Sequence, residues 1–148
     1  MNLHEVNVPE GPLLARFSLF DSPATAGSDL DLYVFDGDGN FVGVSGSGTS
    51  AERVDVPLPA PGVYTVVVHR FETNGPSTNY TLFDWEVPTD DGAGSLTIAS
   101  APTTATSGGA ATVTAAWTGL AAEQLYLGAV SHTSPNGLAG LTTVSVAA

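Results

Sequence analysis

The chain has 148 residues, which is enough for one sandwich of ordinary size or two small β units. It contains no cysteine, so disulfides and thiolate metal sites are excluded. The chain has three basic residues, Arg16, Arg53 and Arg70, and 15 Asp and Glu residues, so its formal net charge is -12. Because nucleic acids and anionic lipid surfaces are bound through clustered Lys and Arg, neither is expected as a partner. This surplus of carboxylates is compatible with binding of divalent cations or basic partners, and also with a role in solubility alone.

The first part of the chain alternates short strand patterns with turn residues. Side chains of period two, many of them β-branched or aromatic, predict strands at residues 13–20, 29–35, 41–45, 52–56, 63–71 and 80–87. In the second of these, Leu30 and Leu32 are expected to face the core. Residues 36–40 read Asp-Gly-Asp-Gly-Asn, which predicts a turn and therefore a hairpin between the second and third strands.

The composition changes near residue 88. Residues 89–94 are predicted to be a linker, and the chain beyond them is rich in Ala, Thr and Gly, with Glu123 as its one charged residue. Further strands are predicted at 95–100, 111–117, 125–132 and 141–146, with a turn at Asn136-Gly137. The sequence thus predicts an all-β fold, with a sandwich or jelly roll in residues 1–88. Residues 95–148 form an additional C-terminal β segment, expected to pack on the first unit because about 50 residues are marginal alone.

An enzyme finds little support in the sequence. The three histidines, His4, His69 and His132, lie in no Gly-x-Ser-x-Gly or His-Glu-x-x-His context. A glycosidase carboxylate pair would need a cleft lined with aromatic residues, and few are available. The two tryptophans, Trp85 and Trp117, are expected to anchor the core because each lies in a strand pattern. We therefore predict no catalytic residues and no organic cofactor.

Calcium is the better functional prediction. Asp29 and Asp31 are two residues apart on a predicted strand, so they share one face about 7 Å apart at the backbone. Such close like charges are unfavourable unless a cation or solvent relieves them. Asp21 lies in the preceding loop and offers a third carboxylate to an ion that prefers oxygen ligands. Asp29, Asp31 and Asp21 are therefore the predicted metal ligands. Residues 36–40 do not match the start of an EF-hand loop, because Phe41 stands where that loop requires glycine. We therefore interpret them as a turn.

Several short runs occur in a characteristic order between residues 17 and 87. They include Asp29-Leu30-Asp31-Leu32-Tyr33-Val34, Asp38-Gly39-Asn40, Glu52-Arg53-Val54, Pro61-Gly62-Val63-Tyr64-Thr65 and Tyr80-Thr81-Leu82. This order resembles the bacterial pre-peptidase C-terminal domain, and it is similar to the jelly-roll domain that follows the catalytic domain in many subtilisin-like serine peptidases. Residues 111–146 resemble the terminal β segment of some secreted actinobacterial subtilases.

The resemblance implies a jelly-roll β-sandwich without an active site, found in secreted peptidases. It implies a parent peptidase catalytic domain as partner, with a protein or polysaccharide substrate as a further one. It also implies calcium near Asp29 and Asp31. The chain is expected to come from a longer secreted precursor, and no segment predicts a signal peptide or a membrane span. The alternative is a carbohydrate- or cell-surface-binding adhesin module, which would need exposed aromatics such as Tyr33 or Tyr126, since Tyr64 is expected in the core.

Overall fold

The computed structural model describes residues 1–89 and 95–148. These residues form eleven strands and no helix, which confirms the predicted all-β class, and they therefore include no helix that could cross a membrane. Two compact units are present, residues 1–89 and residues 90–148. The predicted linker at 89–94 lies, apart from its first residue, outside the described residues. The packing of residues 95–148 on the first unit stays a prediction.

The first unit is built from seven antiparallel strands in two sheets. They are β1 (Asn2–Val8), β2 (Leu14–Ser18), β3 (Asp29–Phe35), β4 (Phe41–Ser45), β5 (Arg53–Pro57), β6 (Gly62–Glu72) and β7 (Phe83–Val87). One sheet has the order β1-β6-β3-β4 and the other the order β5-β2-β7. Every connection except the β3–β4 hairpin passes from one sheet to the other. This order is that of a jelly roll without its first strand, so the predicted jelly-roll type is confirmed.

The core lies between the two sheets because alternate residues of each strand point inward. Leu30 and Leu32 of β3 are fully buried, as predicted. Phe17 of β2 stacks on Tyr64 of β6 with their ring centroids 6.0 Å apart. The Tyr64 hydroxyl donates to the carbonyl oxygen of Ala60 at 3.1 Å, and burial raises the pKa of this phenol. The expectation that Tyr64 belongs to the core is confirmed.

The outer face of the β5-β2-β7 sheet holds an ion pair between a buried arginine and a more exposed aspartate. The Arg16 guanidinium donates to both carboxylate oxygens of Asp55, at 2.6 and 2.8 Å. Trp85 lies on the other side of Arg16 in the same cross-strand row, and its ring stacks on Phe83. The prediction that Trp85 anchors the core is therefore wrong. A strand pattern does not by itself say which of the two faces of a sheet is the inner one.

The second unit consists of two hairpin-like pairs. Its strands are β8 (Thr97–Ser100), β9 (Thr114–Ala116), β10 (Leu125–Ser134) and β11 (Gly137–Ala147), paired as β8-β9 and β10-β11. Residues 135–136 join β10 to β11, one position before the predicted turn at Asn136-Gly137. Gly137, the first residue of β11, has a φ of 105°, which favours glycine. Among residues 95–148 no side chain is buried, and Trp117 is 45% exposed. Trp117 is thus no core anchor either.

Candidate functional site

The candidate site is a cavity at one end of the first unit. Its volume is about 270 Å³, and it lies between the loop that precedes β3, the start of β3 and the loop that follows β4. The carboxylates of Asp21, Asp29 and Glu72 line it together with small polar residues such as Ser28 and Ser50. Two of the three predicted ligands, Asp21 and Asp29, are therefore brought together. We call this place the acidic cavity.

Asp29 is the most unusual group of the acidic cavity. Within the part of the chain that the structure describes, its Oδ1 atom is buried without a hydrogen-bond partner. Burial raises the pKa of its carboxyl, and the negative charges of Asp31, Glu52 and Glu72 raise it further. A buried carboxylate oxygen without a donor is unfavourable, so Asp29 is a group that a bound cation would stabilise.

Asp21 holds the loops around the cavity together. Its Oδ1 accepts a hydrogen bond from the backbone N–H of Ser50 at 2.9 Å. The Ser50 hydroxyl in turn donates to the carbonyl oxygen of Ser28 at 2.7 Å, and the Ser28 hydroxyl lies 2.9 Å from that of Thr78. These bonds join the loop before β3, the loop after β4 and the loop after β6, so the cavity has a defined wall.

Asp31, the third predicted ligand, has a different partner. Its Oδ2 lies 3.1 Å from Nδ1 of His69, the residue opposite it on β6, and it is not among the residues that line the acidic cavity. The His69 and Tyr33 rings also pack edge to face, with their centroids 6.3 Å apart. Asp31 therefore contributes negative charge near Asp29 and belongs to a carboxylate–imidazole pair on β3 and β6.

Sequence reasoning missed two acidic residues at this end of the sandwich. Glu52 is buried, and it accepts hydrogen bonds from the Ser45 hydroxyl and from the backbone N–H and hydroxyl of Ser47, the last two at 2.7 and 2.6 Å. Glu72 lines the cavity from the end of β6. A glutamate that follows a Gly-Ser loop at the start of a strand is the one signal that could have pointed to Glu52.

Neither the histidines nor the Asp36 turn adds to the acidic cavity. His4 bonds the Tyr80 hydroxyl, His69 bonds Asp31, and His132 bonds the Thr142 hydroxyl. Asp36 accepts hydrogen bonds from the side chain and backbone of Asn40, and these lower the pKa of the Asp36 carboxyl. The carboxylate of Asp36 thus closes its own turn, as the interpretation of residues 36–40 as a turn requires.

The donor set of the acidic cavity consists of oxygen atoms. In residues 1–89 and 95–148 no group of three or more His, Cys, Asp or Glu side chains has a geometry ready to hold a metal ion. A cation here would need hydroxyl and carbonyl oxygens beside Asp21, Asp29 and Glu72. Calcium accepts such a mixed set, whereas zinc and other thiophilic metals prefer nitrogen and sulfur.

Together, the two-sheet topology and the acidic cavity define a β-sandwich module of the jelly-roll class. Residues 2–70, which lie within the first unit, match the family model of the bacterial pre-peptidase C-terminal domain. Pyrolysin from Pyrococcus furiosus is 42% identical over 83 residues, which are 53% of this chain and 6% of pyrolysin. The family predicted from the sequence is thereby confirmed, and the chain spans only a small part of this relative's length.

Proposed function

We propose that this chain is a non-catalytic accessory module of a secreted subtilisin-like peptidase and that calcium bound in the acidic cavity stabilises its fold. The family match over residues 2–70 is the observation that carries the accessory role. The 42% identity to pyrolysin supports the accessory role as well. The matched region is only 6% of pyrolysin, as expected for a module within a much larger protein. The module would act beside the catalytic domain of the same polypeptide.

The calcium part of the proposal depends on Asp29. Its buried Oδ1, without a hydrogen-bond partner, and the surrounding negative charge make an ionised Asp29 unfavourable without a counter-ion. Asp29, Asp21 and Glu72 are the residues that would hold the ion, since all three line the same cavity. A bound divalent cation would neutralise their repulsion and fix the loop before β3 to the ends of β3 and β6.

Thermal unfolding in calcium and in chelator tests the proposal. A ligand that binds only the folded state at a concentration 100-fold above its Kd adds about 2.7 kcal/mol, so the midpoint should rise by roughly 10 °C for a domain of this size. The Asp29→Asn variant should lose this rise. Asp38→Asn, which changes an exposed carboxylate in the β3–β4 turn, is the matched control and should keep it. Equal midpoints with and without calcium, together with no bound metal by elemental analysis, would exclude the calcium site.

The accessory role has its own test. The coding sequence upstream of Asn2 in the source genome should encode a peptidase domain with an Asp, His and Ser triad. The chain alone should show no turnover of fluorogenic ester and peptide substrates. Turnover that a His69→Ala or His132→Ala substitution abolished would contradict the non-catalytic assignment.

A further inference from the structure

An apolar row crosses the outer face of the four-stranded sheet. Leu3 of β1 lies opposite Val67 of β6, Val67 lies opposite Tyr33 of β3, and Tyr33 lies opposite Val44 of β4. Neighbouring strands are about 4.8 Å apart, so this row of four side chains spans about 14 Å. The row is continuous across the whole width of the sheet, which a monomeric fold does not require on its solvent side.

Both ends of the row are open to solvent. Leu3 is 67% exposed and Val44 is 53% exposed, whereas Val67 between them is buried and Tyr33 is half-buried. Next to the row, Phe35 and Phe41 pair edge to face with their centroids 5.7 Å apart, and Phe41 is 56% exposed. We call the surface formed by Leu3, Tyr33, Phe35, Phe41, Val44 and Val67 the apolar face. A contiguous surface of this kind typically marks an interaction site.

Carboxylates border the apolar face, and the arginines lie elsewhere. Arg16 and Arg53 lie on the other sheet, where both approach Asp55. Arg70 lies opposite the core residue Leu30 in the β3–β6 ladder, so it belongs to the inner face of β6 and not to the outer one. On the outer face itself, Glu5 lies two residues beyond Leu3 on β1.

The opposite border is acidic too. The turn between β3 and β4, next to Phe35 and Phe41, carries Asp36 and Asp38. Asp38 is exposed, and Asp36 is half-buried in its turn. No arginine of the chain therefore neutralises the carboxylates on either side of the apolar face.

We propose that the apolar face docks a cationic polypeptide whose binding surface combines apolar side chains with Lys or Arg. The apolar row would supply the buried contact, and Glu5 and Asp38 would pair with the partner's basic side chains. A second copy is a poor occupant because each chain carries a net charge of -12. The inference adds the kind of partner to the proposed accessory function. It does not depend on calcium, so the melting experiment and the binding experiment below can fail separately.

Three synthetic peptides of equal length provide the test, one alternating Lys with Leu, one alternating Glu with Leu and one alternating Lys with Ser. Fluorescence anisotropy of labelled peptides would measure their affinity for the full chain. The Lys–Leu peptide should bind at least tenfold more tightly than either of the others. Its affinity should fall as the ionic strength rises from about 0.1 M to about 1 M, over which the Debye length shrinks from about 10 to about 3 Å.

Substitutions locate the binding to the apolar face. A Leu3→Ser, Val44→Ser double variant should bind the Lys–Leu peptide about tenfold more weakly. The Leu58→Ser variant, which changes a 58% exposed leucine in the turn between β5 and β6, should bind like the unchanged protein. Circular dichroism would establish that all variants are folded. Equal binding by the double variant, or equal affinity for the Glu–Leu peptide, would overturn the proposal. A dimer in sedimentation that the double variant abolished would assign the face to a second copy and would overturn it as well.

Discussion

The carboxyl of Asp29 predicts how the stability of the first unit depends on pH. Its folded-state pKa is raised above the ordinary value of 3.8, first by burial and then by neighbouring carboxylates. Its contribution therefore favours folding fully below the unfolded pKa and is lost as the pH rises through the folded pKa. In chelator at pH 7, Asp29→Asn should be more stable than the unchanged protein. At a pH of about 3 the two should be equal.

Urea unfolding across this pH range measures the difference. Asp38→Asn is the control, because it removes a carboxylate of the same charge from an exposed turn. The physical account of Asp29 would be wrong if the unchanged protein were the more stable one at pH 7 in chelator.

The carboxylates also show what a single sequence can predict about a site. Spacing alone placed Asp29 and Asp31 on one face of a strand. The local sequence pattern does not predict that Asp31 pairs with His69, 38 residues away, or that Glu72 lies opposite Asp29. Those contacts follow from the β3–β6 register, which the sequence does not specify by itself. Sequence reasoning thus identified the acidic end of the sandwich but not its complete set of carboxylates.

At the scale of elements, prediction followed the strength of alternation. The bounds of β3 and β4 agree with the predicted residues 29–35 and 41–45. No bounds are predicted for the first strand, Asn2–Val8, because its polar residues weaken the alternation and its order comes from pairing with β6. The predicted strand at 80–87 begins only at Phe83. Just before the predicted start, the backbone of Asn79 bonds Thr25 of the loop before β3.

The β4–β5 contact gives an element-scale prediction. A Cβ added at Gly43 of β4 would lie 2.5 Å from Cγ1 of Val54, a core residue of β5. Because that neighbour is packed in the core, Gly43→Ala should lower the free energy of unfolding by about 1–3 kcal/mol. Gly48→Ala is the matched control, since a Cβ there meets no atom within 4 Å. Urea unfolding would measure both, and equal stabilities of the two variants would contradict the packing described for β4.

At the scale of the whole molecule, the two units differ in how much they bury. The first unit has its own core of fully buried side chains between two sheets, including Phe17, Leu32 and Tyr64. Among residues 95–148 no side chain is buried, and Ile98 and Trp117 are 47% and 45% exposed. Two-stranded sheets that bury few side chains completely are marginal in water. Most of the side-chain burial that stabilises the fold is therefore in residues 1–89.

Separate fragments make this difference measurable. Residues 1–89 alone should unfold in one cooperative transition, because their core is complete without the second unit. Residues 95–148 alone should show a shallow, non-cooperative change in circular dichroism with urea, because the apolar surface they bury is too small to offset the entropy of ordering about 50 residues. A sharp transition in the second fragment would contradict this account. A midpoint for residues 1–89 well below that of the whole chain would instead mean that the second unit stabilises the first, as the sequence predicts for packing between them.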